Sequence, residues 1–303
     1  MNTAPQFDVI IIGGSYAGLS AAMALGRSLR TVLIIDSGLP CNRQTPHSHN
    51  FITQDGERPY LIAQKAREQV LKYPTVKFLE AKAVEGQKKN GGFEVTVESG
   101  STYYAGKLVF ATGLRDLMPD ITGFTACWGI SVIHCPYCHG YEVKNKKTVI
   151  LANGDVAIHY VQLIRGLTKD LTVLTNGSPE FSAEQYVKLE KYGIPVIANE
   201  IDSLTHENGL LNEVVFKNQS RFPVHVMYAR PHFEQHCPIA EMLGCTLTET
   251  GHILTDAFQK TTVPHIYACG DNSGMMRSVA HAVYTGNLAG AMINNEFTAE
   301  AFK

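Results

Sequence analysis

Apolar residues in this chain follow two rhythms. A short unbroken run, Asp8-Val-Ile-Ile-Ile12, has the length of a buried strand and leads into the turn Gly13-Gly-Ser-Tyr-Ala-Gly18. Beyond it Ala17, Ala21, Leu25 and Leu29 recur every fourth residue, which predicts one helix face. Thr31-Val-Leu-Ile-Ile-Asp36 is a second strand-like run. The plan returns later: Lys147–Leu151 reads as a strand, Ala152–Ala157 as a turn, Tyr160, Leu163, Ile164 and Leu167 as a helix face, and Leu171–Thr175 as a strand. Two β-α-β units predict two parallel sheets, each with a strand-to-helix turn. Leu108–Gly113 and His265–Asp271 read as further strands running into glycine turns, and a last helix starts near Ser278. The expected architecture is α/β, with two three-layer domains, the second inserted in the first. Residues 1–116 and 248–303 form the discontinuous domain and 117–247 the insert.

A length of 303 residues agrees with two domains of about 150 residues each. Apolar residues are 45% and charged residues 18%, enough to bury a core. Lys and Arg number 26 against 28 Asp and Glu, a net charge of −2. That balance argues against a nucleic-acid partner, which needs a basic face, and against polybasic membrane anchoring. No apolar run approaches the roughly 20 residues of a membrane span, and the first one is too short for a signal peptide. A cytoplasmic protein is expected. Its seven cysteines should be mostly free thiols, so a close pair points to redox or metal chemistry.

Gly13, Ser15 and Gly18 occupy the three positions of Gly-x-Gly-x-x-Gly, with serine replacing the middle glycine. The spacing suits a tight turn that brings backbone close to a pyrophosphate at a helix N-terminus. Asp36, ending the second strand, would accept hydrogen bonds from adenosine ribose hydroxyls.

His134-Cys135-Pro136-Tyr137-Cys138-His139-Gly140 admits three chemistries. A dithiol/disulfide pair fits, with Pro136 at the first helical position after a capping Cys135, and with helix N-terminus and imidazole both favouring thiolate. A zinc half-site would need two more ligands, and Cys127, Cys237 and Cys245 lack that spacing. Cys135-x-x-Cys138-His139 also matches the haem-attachment pattern, which usually accompanies export.

Taken in order, the glycine turn, Ala111-Thr112-Gly113, the cysteine pair, the inserted β-α-β unit, Gly270-Asp271 and Arg277-Ser278 make the chain resemble the low-molecular-weight thioredoxin reductases. The resemblance implies two Rossmann-like domains. The split one would bind FAD, and the inserted one would bind NADPH and carry the redox-active disulfide. It implies a cytoplasmic homodimer, no metal, and a thioredoxin-like protein or small dithiol/disulfide as substrate. It implies that Gly13, Gly14, Ser15, Gly18, Asp36, Ser37, Thr112 and Gly113 contact FAD. It further implies Asp271, after Gly270, on the ribityl chain and the Ser278-Val279 backbone at the pyrimidine end, with Asn50 and Val84 as further contacts. Cys138 would lie against the flavin as the charge-transfer thiolate, and Cys135 would be the interchange thiol.

Two departures change the expected activity. His139 stands where the reductases usually carry Asp, a version that resembles the gliotoxin- and holomycin-type dithiol oxidases. An imidazole there could take a thiol proton and return it. Glu142 either orients His139 or is a plain solvated acid. The second nucleotide turn is also altered: Ala152 replaces its first glycine, no Arg or Lys occurs from Leu171 to Ala183, and Asn176 offers no acid for a ribose. A 2′-phosphate is poorly held without such cations. The expectation is an FAD-dependent thiol–disulfide oxidoreductase with a degenerate NADPH site, using oxygen or a ferredoxin-like protein as electron partner. The alternatives are an NADPH-dependent thioredoxin reductase and a redox-sensing module that keeps FAD only structurally.

Overall fold

The computed structural model describes residues 7–303. Along the chain run β1 (Phe7–Ile12), α1 (Tyr16–Arg27), β2 (Val32–Asp36), α2 (Pro59–Val70), β3 (Val76–Glu80), β4 (Ala83–Lys89), β5 (Gly92–Val97), β6 (Thr102–Phe110), β7 (Leu114–Leu117), α3 (Phe124–Cys127), β8 (Val132–Ile133) and α4 (Pro136–His139). There follow β9 (Thr148–Leu151), α5 (Gly154–Ile164), β10 (Leu171–Leu174), α6 (Ala183–Lys191), β11 (Val196–Ile197), β12 (Ile201–Glu207), β13 (Leu210–Phe216), β14 (Arg221–Pro223), β15 (Val226–Ala229), β16 (His232–Gln235), α7 (Ile239–Met242), β17 (Ile266–Ala268) and α8 (Val279–Ala301). Both β-α-β units are present. The helix faces are shorter than the periodicity predicts. Leu29 lies beyond α1 with φ of 62° and is largely exposed. The chain turns there because the Ser28 and Leu29 amides bond back to the Leu25 and Gly26 carbonyls. Leu167 lies beyond α5 in the same way, its amide on the Ile164 carbonyl.

The chain divides into two compact units. The first comprises 7–43, 59–115 and 233–303. Its sheet runs β3-β2-β1-β6-β5-β4, with β17 also on β6. The sheet is not wholly parallel. The long β6 pairs antiparallel with β5 through its first half and parallel with β17 through Leu108–Phe110. Val9, Ile10, Ile11, Val32 and Ile34 are fully buried, as continuous apolar runs in a doubly covered sheet require. On one face α1 and α8 cross backbone to backbone. A Cβ on Gly286 would sit 2.1 Å from the Ala17 carbonyl oxygen, and one on Gly290 would sit 2.6 Å from that of Ala21. The alanine spacing of α1 therefore marks a close helix crossing.

The second unit comprises 44–58 and 116–232. Its parallel sheet is ordered β11-β10-β9-β15-β8, and a three-stranded antiparallel sheet β12-β13-β14 accompanies it. Leu204, Leu211 and Val214 of that second sheet share a core with Val149 and Leu174 of the first. Two segments depart from the expected boundaries. Residues 44–58 fall in the second unit, where Thr45 Oγ1 lies beside Gly129 and His49 Nδ1 beside Glu142. Residues 233–247 fall in the first, because Ile239 and Ala240 of α7 and Leu243 just past it bury with Phe93 and Val95 of β5. Polar contacts set the first and hydrophobic burial the second, and neither is visible to turn signals. Among the described residues no helix is long and apolar enough to cross a membrane.

An ion network sits between β6, β17 and α8 in the first unit. The Lys107 ammonium is 2% exposed and lies 3.0 Å from Glu296, 2.8 Å from Glu300 and 3.1 Å from His265 Nδ1. A lysine thus fills the centre of the three-ligand cluster His265, Glu296 and Glu300. Burial opposes ionisation of Glu296, but hydrogen bonds from Tyr267, Lys107 and His265 outweigh it and hold the carboxyl down to about 2. This contribution to stability is complete above the ordinary carboxyl value of 4.5 and is lost as pH falls through about 2. Glu296→Gln should lower stability by about 3 kcal/mol in urea unfolding, since it leaves a buried ammonium short of a partner.

Candidate functional site

Four strand ends of the first unit, those of β2, β1, β6 and β17, meet at one level. The Gly13 amide donates to the Ile35 carbonyl at 2.8 Å, that of Ala111 to Ile12 at 2.8 Å, and that of Cys269 to Phe110 at 3.0 Å. The turn over them leaves no room for side chains. A Cβ on Gly13, which has φ of 106°, would lie 2.2 Å from the Ala111 carbonyl oxygen, and one on Gly18 would lie 1.9 Å from that of Gly13. Helix α1 therefore starts directly above β1, capped by Ser15 in extended conformation with no side-chain cap. Asp36 ends β2, and its carboxylate accepts from Gly14 N–H at 2.9 Å and Gly38 N–H at 3.2 Å.

Asn272 joins the other two strand ends. Its amide donates to the Phe110 carbonyl at 2.8 Å and to Thr112 Oγ1 at 3.2 Å, while its fully buried Oδ1 has no hydrogen-bond partner among the described residues. Gly270 N–H donates to Thr285 of α8 at 3.0 Å, and Asp271 lies 3.5 Å from Arg277 Nε. Ser278 caps α8 by accepting from His281 N–H, which puts Val279 in the first turn. A Cβ on Gly113, at φ of 64°, would meet nothing within 4 Å. Tight glycines, two helix starts, open space at Gly113 and an unsatisfied buried acceptor fit an elongated dinucleotide carrying a pyrophosphate.

The structure thus gathers Gly13, Gly14, Ser15, Gly18, Asp36, Thr112, Gly113, Gly270, Asp271, Ser278 and Val279 about these strand ends. Ser37 is exposed just past β2, and Val84 is exposed on the edge strand β4. Asn50 does not join them within that unit: it belongs to the second one, with φ of 59° and its N–H on Asp55 at 2.7 Å. Cys41 is exposed.

In the second unit Cys135 and Cys138 form a disulfide with a Cα–Cα separation of 5.3 Å. Cys135 is the N-cap of α4, its Sγ accepting from Cys138 N–H at 3.2 Å, and Pro136 takes the first helical position. The helix is a single turn of four residues, so its dipole is far smaller than the motif suggested.

His139 follows the second sulfur. Both its ring nitrogens are shielded from solvent and have no hydrogen-bond partner among the described residues. Burial pushes its pKa below the ordinary 6.5, the His49 charge adds to that, and Glu142 opposes it. The lowered pKa favours the neutral imidazole, the form a proton acceptor needs, at the residue next to Cys138. His49 was not among the sequence candidates. It lies about ninety positions earlier in the chain, and no spacing rule connects it to the cysteine motif.

The second glycine turn is also in place, between β9 and α5. Its N-cap Asn153 accepts from Gly154 N–H at 2.9 Å and from Glu180 N–H at 2.8 Å, and donates to the Ser178 carbonyl at 2.9 Å. Gln185 donates to Asp155 at 2.6 Å, tying the same helix start to α6. Asn176, past β10, spends its side-chain oxygen on Ile201 N–H at 2.7 Å.

Comparison with known proteins agrees with this layout. Residues 7–286 match the family model described as pyridine nucleotide-disulphide oxidoreductase. The chain is 32% identical to "Thioredoxin reductase sirT" of Leptosphaeria maculans, covering 97% of this chain and 95% of that protein. Among solved structures, the oxidoreductase from Agrobacterium tumefaciens is 37% identical with a TM-score of 0.90, covering 96% of this chain and 98% of that one. HlmI is 29% identical with a TM-score of 0.91, covering 98% and 94%. Sequence, fold and a glycine turn fit for FAD all lead to one conclusion: the chain belongs to the pyridine nucleotide-disulphide oxidoreductase family, as a flavoprotein oxidoreductase of the thioredoxin reductase type with FAD as cofactor.

Proposed function

We propose that the protein is an FAD-dependent dithiol oxidase whose cysteine pair takes electrons from a small dithiol and whose NADPH route is lost. The observation that carries this reading is Asn153. Its side chain bridges the start of α5 to Ser178 and Glu180, so the chain itself lies where a dinucleotide pyrophosphate would bind. The exposed Glu180 carboxylate adds repulsion, and no Lys or Arg occurs from Leu171 to Ala183 to hold a 2′-phosphate.

His139 takes a proton from a substrate thiol, and the thiolate attacks Cys135 Sγ in line with the disulfide. Cys138 leaves as thiolate, and the substrate's second thiol resolves the mixed disulfide. The substrate leaves oxidised, and the pair Cys135/Cys138 is left reduced by two electrons. Gly13–Gly18, Asp36, Thr112-Gly113, Asp271 and the start of α8 would hold FAD, which when bound would supply the two-electron acceptor for regenerating the disulfide, with oxygen or a ferredoxin-like protein as the final partner.

Anaerobic mixing separates the directions. Dithiothreitol should bleach the oxidised flavin within turnover time, and equimolar NADPH should not. Rapid bleaching by NADPH would refute the oxidase reading and establish an NADPH-dependent reductase.

A further inference from the structure

Positive charge without acidic partners gathers next to the disulfide. The turns 141–147 and 165–170 carry Lys144, Lys146, Lys147, Arg165 and Lys169 against two acids, Glu142 and Asp170, in a chain whose net charge is −2. None of the five cations forms an ion pair among the described residues, whereas Lys188, Lys217 and Arg221 of the same unit each pair with a glutamate at 2.6 to 2.9 Å. Of the two acids, Glu142 already lies 3.5 Å from His49. Lys144, Lys146, Arg165 and Lys169 are exposed, and Lys147 is half-buried with its ammonium over the Phe222 ring.

Hydrogen bonds lace both turns to the helix that carries the cysteines. The Gly140 amide closes α4 on the Pro136 carbonyl at 2.9 Å, and a Cβ on Gly140 would sit 2.6 Å from Leu167 Cδ1. Next along the chain, Asn145 N–H donates to the Leu167 carbonyl at 2.9 Å and Thr168 Oγ1 to the Lys146 carbonyl at 2.8 Å. Thr148 N–H donates to the Asp170 carbonyl at 2.9 Å. The backbone that bears the cations is thus pinned to the end of α4. The Lys144 ammonium lies 3.4 Å from the centre of the Tyr141 ring, which folds it over the turn after the disulfide. Tyr141 itself, and Tyr137 between the two cysteines, are 71% and 69% exposed. Open charge beside a reaction centre raises the local concentration of ions of opposite sign and speeds their arrival.

We propose that this patch selects the substrate: the small dithiol that reduces Cys135–Cys138 is an anion, carrying a carboxylate or similar group that Lys144, Lys146 and Lys169 attract while its thiols approach the disulfide. The proposal rests on the dithiol-oxidase reading and narrows its substrate class. The exchange steps are those already given. The cations act before them, on encounter and orientation, and take no part in making or breaking the sulfur bonds.

The test compares three dithiols on full-length FAD-loaded protein: anionic meso-2,3-dimercaptosuccinate, neutral dithiothreitol and cationic 2-amino-1,4-dimercaptobutane. Reduction of the disulfide is followed by rapid alkylation, a readout that needs no flavin signal. For each dithiol the wild-type rate is divided by that of the triple variant Lys144→Gln, Lys146→Gln, Lys169→Gln, which cancels differences in thiol reactivity. With dimercaptosuccinate the ratio should be about tenfold at low ionic strength and should fall toward unity at ~1 M salt, where screening acts within about 3 Å. With dithiothreitol it should stay near unity at every salt, and with the cationic dithiol it should drop below unity. Lys217→Gln, which removes an ion-paired lysine of the same unit, should leave all three rates unchanged. If the triple variant does not fold, Lys144→Gln and Lys169→Gln singly should give the same signs at about twofold, since exposed single substitutions cost little stability. Equal ratios for the three dithiols, or a dimercaptosuccinate ratio that ignores salt, would overturn the proposal while dithiothreitol bleaching of the flavin stayed normal. Failure of dithiothreitol to bleach the wild-type flavin would instead remove the oxidase reading, and the alkylation ratios would still decide whether the disulfide prefers anionic thiols.

Discussion

Cys135→Ser should leave the flavin oxidised when a dithiol is added under anaerobic conditions, with reduction slowed on the order of a thousandfold or more. The sulfur of Cys135 is both electrophile and helix cap. As a disulfide sulfur it accepts the attacking thiolate, which a serine oxygen does not do. As a cap it accepts Cys138 N–H, and serine is among the preferred caps, so the α4 turn should survive the change. Stopped-flow absorbance measures the lost chemistry, and the melting temperature with flavin retained reports the intact fold. Cys138→Ser should behave differently: Cys135 then remains a free thiol able to hold substrate as a mixed disulfide visible by mass. A variant Cys135→Ser whose flavin still bleaches at the wild-type rate would favour the module that keeps FAD only structurally.

Gly18→Ala should yield protein without flavin. The added Cβ would lie 1.9 Å from the Gly13 carbonyl oxygen and within 3.3 Å of the Ile11 side chain. The clash is with backbone of the turn itself, so relief requires α1 to move off β1. The cost is about 3 kcal/mol or more, and the displaced helix start no longer faces a pyrophosphate. Gly13→Ala adds an unfavourable φ of 106° to a contact of 2.2 Å and should be at least as severe. Gly166→Ala is the matched control, because nothing lies within 4 Å of its would-be Cβ and it has no positive φ. Flavin absorbance relative to protein separates the three, and a Gly18→Ala protein that retained full flavin would remove the turn from the cofactor site.

The Asn153 bridge illustrates how much of a site hides from sequence reading. The missing cations after β10 and Ala152 in place of glycine already signalled a damaged nucleotide turn. They did not say what had replaced the ligand. That depends on Asn153 meeting Ser178 and Glu180 across two loops 25 and 27 residues apart, which follows from how β9 and β10 align. The ion cluster around Lys107 is similar, since its members at 107, 265, 296 and 300 share no local pattern.

From residue order alone came the two β-α-β units, the first glycine turn with its acid at Asp36, the cysteine pair with Pro136 at the helix start, and the family. All are local: each is a strand period, a turn requirement or a motif spacing, and such information is written in neighbouring residues. Only the folded chain decided that residues 44–58 belong with the cysteine-bearing unit, that 233–247 belong with the other, that β4 and β5 turn the first sheet antiparallel at its edge, and that His49 lies 3.5 Å from Glu142. These are matters of which distant surfaces bury each other, and burial is a property of three-dimensional contact that one-dimensional spacing does not carry.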